Sequence, residues 1–258
     1  MNIALPPEVG VRPYRGTLED LQDTSTNISQ YTALFRGDTG IGEVLGLAAE
    51  LPLPNEPLQV VSAGCSYGVE VDTVLGLTHK YAPNMRVNIA GVDNNAAALT
   101  TAEAAQYRLY GSYTEVAGDY AATGHDFMST MDEHGIAAIP YDIDAKAATI
   151  RTGKLRAEHE VSWRQRDLTR DKLTTAAAHL ILCNNVMCYF RPQLELADAI
   201  AQNLGGHLAV GGIVSFGANL ENGSMDGWAR DVVPKLAEQG LAPLVTGNPK
   251  QVAFRRTV

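Results

Sequence analysis

Long apolar runs are missing from this chain: no stretch approaches the ~20 consecutive apolar residues that a membrane-spanning helix needs. The opening residues, MNIALPPEVG, have no basic start ahead of a long apolar core, which speaks against a secretion signal and for a cytosolic protein. Cysteine is scarce, with three in 258 residues. Cys65, Cys183 and Cys188 are odd in number and lie in or beside stretches that read as core strands, so buried reduced thiols suit them better than a disulfide framework. Neither CxxC nor HxxxH spacing occurs, and no metal site is expected. Basic residues are outnumbered: 20 Lys and Arg against 29 Asp and Glu leave a net charge of −9. That balance speaks against a broad phosphate-binding surface of the nucleic-acid type and would mildly attract a cationic ligand. Repeats and low-complexity tracts are absent as well. What remains, 45% hydrophobic and 19% charged residues, is the composition of a globular enzyme with one main core.

The stretch LQVVSAGCSYGVE at 58–70 organises the rest. Apolar and β-branched residues run to Ala63, small residues fill 62–66, and a helical apolar pattern (Val71, Val74, Leu75, Thr78) starts after Gly68. The pattern is strand, tight turn, helix. Glycine at the turn lets the backbone pass close under a ligand, and the free N–H groups of the following helix face the strand end, where nucleotides bind in open α/β sheets. A tight turn with no ligand has the same local pattern. A second strand at 87–92 ends at Asp93, roughly 25 residues after the turn, the place from which a carboxylate accepts hydrogen bonds from both hydroxyls of a ribose. The competing role for Asp93 is an N-cap of the next helix, expected at about 96–105.

Around this unit the chain reads as follows. Residues 1–55 form a short helical N-terminal segment, with helix-start chemistry at Thr24-Ser25-Thr26-Asn27, a second helix at 41–49 and a proline-stiffened linker at 51–57. Arg36 follows an apolar cluster and precedes Gly37-Asp38; from position alone it is an exposed or Asp38-paired arginine. From Leu58 strand and helix patterns alternate, which predicts a parallel sheet with right-handed crossovers. Residues at about 107–160 interrupt it with an aromatic-rich insert (Tyr107, Tyr110, Tyr113, Tyr120, Phe127, Met128, Met131), of the kind that covers an active site and selects its substrate. Any single one of these tyrosines suits core packing equally well, and His125 and His134 read as surface or packing residues. Strands are expected again at 161–165 and 179–183. The second of these ends in Asn184 and Asn185, whose amides are costly at the end of a central strand unless a backbone group or ligand pairs with them, so they point to the cleft. A helix at 192–204, a glycine turn into a strand ending near 217, a helix at about 225–239 and a strand at 251–255 complete the pattern.

Taken in order, FR at 35–36, SAGCSYG at 62–68, GVD at 91–93, QYRLY at 106–110, RDL at 166–168, LILCNNVMCYF at 180–190 and VGGIVSFG at 210–217 make the chain resemble the class I S-adenosylmethionine (SAM)-dependent methyltransferases, specifically the CheR-type chemoreceptor glutamate methyltransferases. The resemblance implies an α/β fold with a Rossmann-like seven-stranded sheet over 56–258, and SAM as cofactor. It implies that Ala63 and Gly64 pass beneath the cofactor, that Asp93 with Asn94 holds its ribose, and that Asp167 and Leu168 flank its adenine. Asn185 and Tyr189 would lie near the sulfonium and the substrate, and Arg36 would reach back over the cofactor, giving Arg36, Asn185 and Tyr189 as the catalytic set. Glu70 and Asn184 complete the cofactor contacts. Methyl transfer to a carboxylate needs alignment and desolvation more than acid–base help, so Tyr189 and Arg36 act as positioning groups.

The chain departs from the family at two places. Gly68-Val69-Glu70 replaces the usual Gly-Glu-Glu, and Asn184-Asn185 replaces Arg-Asn, which removes a positive charge from the cleft. The N-terminal segment is also short and has no basic helix to dock on an acidic receptor. The expected activity is therefore methyl transfer to a carboxylate, hydroxyl or amine of a small-molecule, protein or peptide acceptor other than a chemoreceptor, with no nucleic-acid or membrane partner. Two alternatives stay open: a SAM cyclase or lyase acting on the methionine moiety, and a non-catalytic SAM-binding protein.

Overall fold

The computed structural model describes residues 40–52, 56–82, 85–110, 137–138, 147–174, 176–184, 186, 194–217, 233–247 and 252–258. Helix α1 (Ile41–Ala49) leads into β1 (Leu58–Ala63), α2 (Val69–Tyr81), β2 (Val87–Asp93) and α3 (Ala96–Glu103). A separate group follows: β3 (Gln106–Tyr110), β4 (Ala137–Ala138), β5 (Ala147–Arg151) and the single-turn α4 (Gly153–Arg156). The chain then returns through β6 (Glu160–Gln165), β7 (Ala178–Leu182), α5 (Leu194–Gly206), β8 (Leu208–Ser215), α6 (Val233–Glu238), β9 (Leu241–Pro243) and β10 (Ala253–Arg256).

Seven strands form one sheet in the order β6-β2-β1-β7-β8-β10-β9. Pairing is parallel from β6 to β8 and antiparallel where β10 joins β8 and β9. Such a sheet is buried on both faces, so its central strands carry nearly unbroken apolar runs: β7 is buried at every position. Side chains alternate across β1. Leu58 and Val60 join α1 and α2 in one core, while Val61 and Ala63 join Ile200, Leu204 and Leu236 from the far layer in the other. The α/β, Rossmann-like, seven-stranded expectation holds; the parallel direction expected for it holds from β6 to β8 and gives way where β10 pairs antiparallel with β8 and β9. Helix α1 shares the first core, so the segment placed ahead of residue 56 packs in part with the main domain.

The sheet turns back on itself between β1 and β7. From β1 the chain builds outward through β2 to β6, then crosses to β7 and builds the other way. A crevice opens outside the carboxyl ends of the two strands at such a switch point. Those ends are Ala63-Gly64 and Leu182-Cys183-Asn184.

Several boundaries differ from the sequence expectation. The insert contributes a three-stranded antiparallel sheet of order β3-β5-β4, which aromatic composition did not announce. Helix α5 runs through Gly205 and Gly206, where a turn was expected, because the helical ladder tolerates glycine at its last turn. Strand β9 was missed: three residues following Gly240 are too short for a periodic signal. Thr24–Asn27, Tyr113 to Met131 and 225–232 lie outside the described residues. No helix among the described residues is long and apolar enough to cross a membrane.

A titratable bond joins the amino-terminal ends of the central strands β1 and β7. The Gln59 backbone N–H donates to His179 Nδ1 at 3.0 Å, and His179 is buried. Burial pushes its pKa below the ordinary 6.5, with Glu56 opposing; burial depresses His207 in the same direction, helped by Lys172. Burial thus favours the neutral form of both imidazoles. A depressed histidine leaves stability at its full value above the unfolded pKa and removes it as pH falls through the folded one. The melting temperature is therefore expected to drop as pH is lowered below about 6.5. Thermal melts from pH 5 to 8 check this, and His179→Gln, whose carboxamide oxygen accepts without titrating, should flatten the slope.

Candidate functional site

The turn after β1 is held by backbone bonds to β2. Gly64 and Cys65 N–H both donate to the Val92 carbonyl, at 2.7 and 3.0 Å, and Gly68 N–H donates to the Cys65 carbonyl at 2.9 Å. Gly64 has φ 76°, and a Cβ there would stand 2.3 Å from Val186 Cγ2. Both the backbone angle and the lack of space require glycine. Ser66 takes φ 48° without being glycine, a left-handed conformation that costs of order 1 kcal/mol. Its N–H compensates by donating to Asp93 Oδ2 at 2.8 Å.

Asp93 also accepts from the Asn95 N–H through Oδ1, at 2.9 Å. It is thus the hinge pin between the β1 turn and the β2 turn. It does not cap α3. Asn95 does, accepting from Ala97 and Ala98 N–H at 3.0 and 3.1 Å. Burial raises the Asp93 pKa, against the lowering effect of the backbone N–H groups of Asn95, Ser66 and Asn94. Asn94 is exposed beside it, and its carbonyl accepts from Gln165 Nε2 at 3.0 Å.

Glu70, in the first turn of α2, spans the switch point. Its Oε1 accepts from Ser62 Oγ of β1 and its Oε2 from Asn184 Nδ2 beyond β7, both at 2.7 Å. The carboxylate at a helix N-terminus is favoured by the helix dipole, and both its partners are buried. Asn184 is only 7% exposed, and its Oδ1 is buried with no hydrogen-bond partner among the described residues. An orphaned buried acceptor costs about 1–3 kcal/mol. Such a group at the mouth of the switch point is what a donor-bearing ligand would satisfy.

The carboxyl end of β6 lies beside Asp93, since Arg166 N–H donates to the Asp93 carbonyl at 2.9 Å. Asp167 Oδ1 accepts from Thr169 N–H and Oγ1, at 2.9 and 2.6 Å, and Oδ2 pairs with Arg170 at 3.0 Å. Partial burial works against its charge, yet the Thr169 bonds and Arg170 hold the carboxyl below its ordinary range. The side chain is 39% exposed. Leu168 packs on the second core, and its carbonyl accepts from Asn203 Nδ2 at 2.9 Å.

The structure therefore gathers Ala63, Gly64, Glu70, Asp93, Asn94, Asp167, Leu168 and Asn184 along one edge, at the ends of β1, β2, β6 and β7. Arg36, Asn185 and Tyr189 lie outside the described residues. Sequence reasoning had no role for Ser62, although a hydroxyl at a fully buried strand position next to a glycine turn is a signal that it has a partner. Cys65 and Cys183 are buried thiols outside any disulfide, as expected, and Cys188 lies outside the described residues. The Cys65 thiol is pushed well above its ordinary range by burial, then by the Asp93 and Glu70 carboxylates, which keeps it protonated and unfit as a nucleophile. No cluster of three or more His, Cys, Asp or Glu suited to a metal occurs among the described residues.

No protein-family model matches the chain, and no curated protein matches it. Among solved structures it is similar to the N-methyltransferase NodS of Bradyrhizobium japonicum WM9 in complex with S-adenosyl-L-homocysteine (TM-score 0.48, 13% identity, 92% of this chain and 97% of that one). It is also similar to a ribosomal protein L11 methylase from Lactobacillus delbrueckii subsp. bulgaricus (TM-score 0.43, 13% identity, 86% and 79%). A third is an rRNA methylase from Streptococcus thermophilus (TM-score 0.41, 11% identity, 83% and 95%). The strand order itself defines the fold class.

Proposed function

We propose that this chain is a SAM-dependent methyltransferase with a CheR-like catalytic domain, acting in the cytosol on a small-molecule, protein or peptide acceptor other than a chemoreceptor. The observation that carries this reading is the bridge at the switch point. Glu70 ties Ser62 to Asn184 and leaves the buried Asn184 Oδ1 unpaired, while Asp93 stands at the neighbouring strand end across the Gly64 turn. Two acceptor groups at two strand ends suit a ligand with a diol at one end and a cation at the other. SAM has that form, and the residues present fit it.

Bound there, SAM supplies a methyl group on a sulfonium. Asp93 would accept from the ribose hydroxyls, Gly64 would give the backbone clearance, and Glu70 with Asn184 would receive the methionine ammonium. The buried thiol of Cys65 offers no competing nucleophile. Glu70 and Asp93 make the edge acidic, which favours a cationic ligand and matches the net charge of −9. The motif order from FR at 35–36 to VGGIVSFG at 210–217 supports the CheR-like part. Acceptor chemistry among carboxylate, hydroxyl and amine is assigned to Asn185, Tyr189 and Arg36 by that resemblance alone.

Calorimetric titration of the purified protein with SAM and S-adenosylhomocysteine, followed by mass spectrometry of the SAM incubation, tests the proposal. Micromolar binding with SAM intact, and S-adenosylhomocysteine appearing once an acceptor is supplied, is the expected result. Methylthioadenosine formed without an acceptor would mean a cyclase or lyase. Binding without turnover over a broad acceptor panel would mean a SAM-binding protein, and no binding would end the cofactor reading.

A further inference from the structure

Behind the glycine turn lies an ion pair that neither the fold class nor the cofactor reading asks for. Arg156, the last residue of α4, donates through Nε and Nη2 to the two oxygens of Asp72, at 2.7 and 2.8 Å. Its Nη1 donates to the Ala102 carbonyl near the end of α3. Asp72 is 0% exposed and Arg156 9%. A buried pair of this kind is weak evidence of stabilisation, since an apolar pair of the same shape does as well. What the planar fork adds is direction: it fixes the guanidinium against a carboxylate in one orientation.

That orientation places the guanidinium 4.8 Å from the ring centroid of Trp163 in β6. The same ring bears on the turn. A Cβ on Gly68, the residue that closes the turn, would stand 2.6 Å from Trp163 Cη2, and one on Gly91 would stand 2.3 Å from Cζ3. The indole is thus wedged between a fixed cation and two bare glycine backbones. Asp72 lies two residues after Glu70 on α2, and α4 follows directly on β5, the middle strand of the inserted sheet. One side chain therefore joins the insert, α2, α3 and, through Trp163, the turn itself.

We infer that Arg156 is a positioning residue: through Trp163 it sets the height of the Gly64–Gly68 turn and locks that turn to the inserted sheet. The consequence for ligand affinity rests on the cofactor reading above; the mechanical claim does not. Removing Arg156 alone would take the bidentate cationic partner from the buried Asp72 carboxylate, so the test uses Asp72→Leu/Arg156→Met, which replaces the pair with apolar groups. Trp163→Phe is the second variant, keeping the pair and shrinking the ring.

Amide hydrogen exchange is followed in the full chain without ligand, comparing the 64–68 amides with those of β8. At least tenfold faster exchange in the turn with β8 unchanged is the expected result for both variants. S-adenosylhomocysteine should then bind about tenfold more weakly, or worse, than to the unaltered protein. Turn amides exchanging at the unaltered rate in either folded variant would overturn the inference, as would an equal acceleration in turn and β8, which would mark a purely global role. If the double variant does not fold, Trp163→Phe decides alone. A loosened turn in a protein that binds no S-adenosylhomocysteine in any form would uphold Arg156 as the positioner and sink the cofactor reading instead.

Discussion

Asp93→Ala is expected to weaken S-adenosylhomocysteine binding by about 1.5–3 kcal/mol, roughly 10- to 150-fold in dissociation constant, because a charge-assisted pair of hydrogen bonds to the ribose is lost. The acceptor needed there is the carboxylate. Burial, only partly offset by three backbone N–H groups, raises the pKa of Asp93, so some protonation sets in at a higher pH than for an exposed aspartate. A raised carboxyl contributes stability that is present below its unfolded pKa and is lost as pH rises through the folded one. The ionised form is therefore the costlier one for the ligand-free fold and the productive one for a diol. Affinity should fall as pH is lowered through the raised carboxyl value, and the Asp93→Ala protein should show no such fall. Calorimetry across the acid range reads both effects. An unchanged dissociation constant in Asp93→Ala would remove the ribose role from this residue.

Glu70 gives the second large effect, and two substitutions separate its parts. Glu70→Ala strands the Ser62 hydroxyl, which is fully buried, and the Asn184 amide, which is nearly so. Leaving buried polar groups unpaired costs about 1–3 kcal/mol each, so a total of about 2–6 kcal/mol is expected, seen as a melting temperature lower by about 4–24 °C for a chain of this size. Glu70→Gln keeps the shape. Its amide oxygen still accepts from Ser62, and a flip of the Asn184 amide lets the new Nε2 donate to the otherwise unpaired Asn184 Oδ1. Stability should then stay within about 1 kcal/mol of the unaltered protein. Ligand affinity should nonetheless drop at least tenfold, because the negative charge facing a cationic group is gone. Equal affinity in Glu70→Gln would show that the bridge is structural only.

These effects come from contacts between residues far apart in sequence. Ser62, Glu70 and Asn184 meet because β1 and β7 are neighbours at the switch point, although 114 residues separate Glu70 from Asn184. Nothing local in LILCNN says which strand lies alongside. Asn184 was placed at the cleft from its sequence position alone, since an amide at the end of a buried run demands a partner. That its partner is Glu70, and that its oxygen is left over, required the sheet order. Asp93 was legible for the same local reason, but the capping role weighed for it belongs to Asn95, two residues on.

What the sequence determined by itself was everything that depends on periodicity and on single-residue backbone needs. Apolar runs of strand length gave β1, β2, β6 and β7; the change to helical spacing after Gly68 gave α2; and the small residues around Gly64 marked a turn that a side chain would block. Their alternation was enough for a parallel α/β sheet. The tertiary structure alone decided what depends on pairing. It made the insert a three-stranded sheet, since strands β3 and β5 find each other across 36 intervening residues, and it buried Asp72 against Arg156, 84 positions apart. The reason is physical: backbone propensity and hydrophobic period act within a few residues, whereas a buried charge or an orphaned amide acquires its meaning only from the group that the fold brings opposite it.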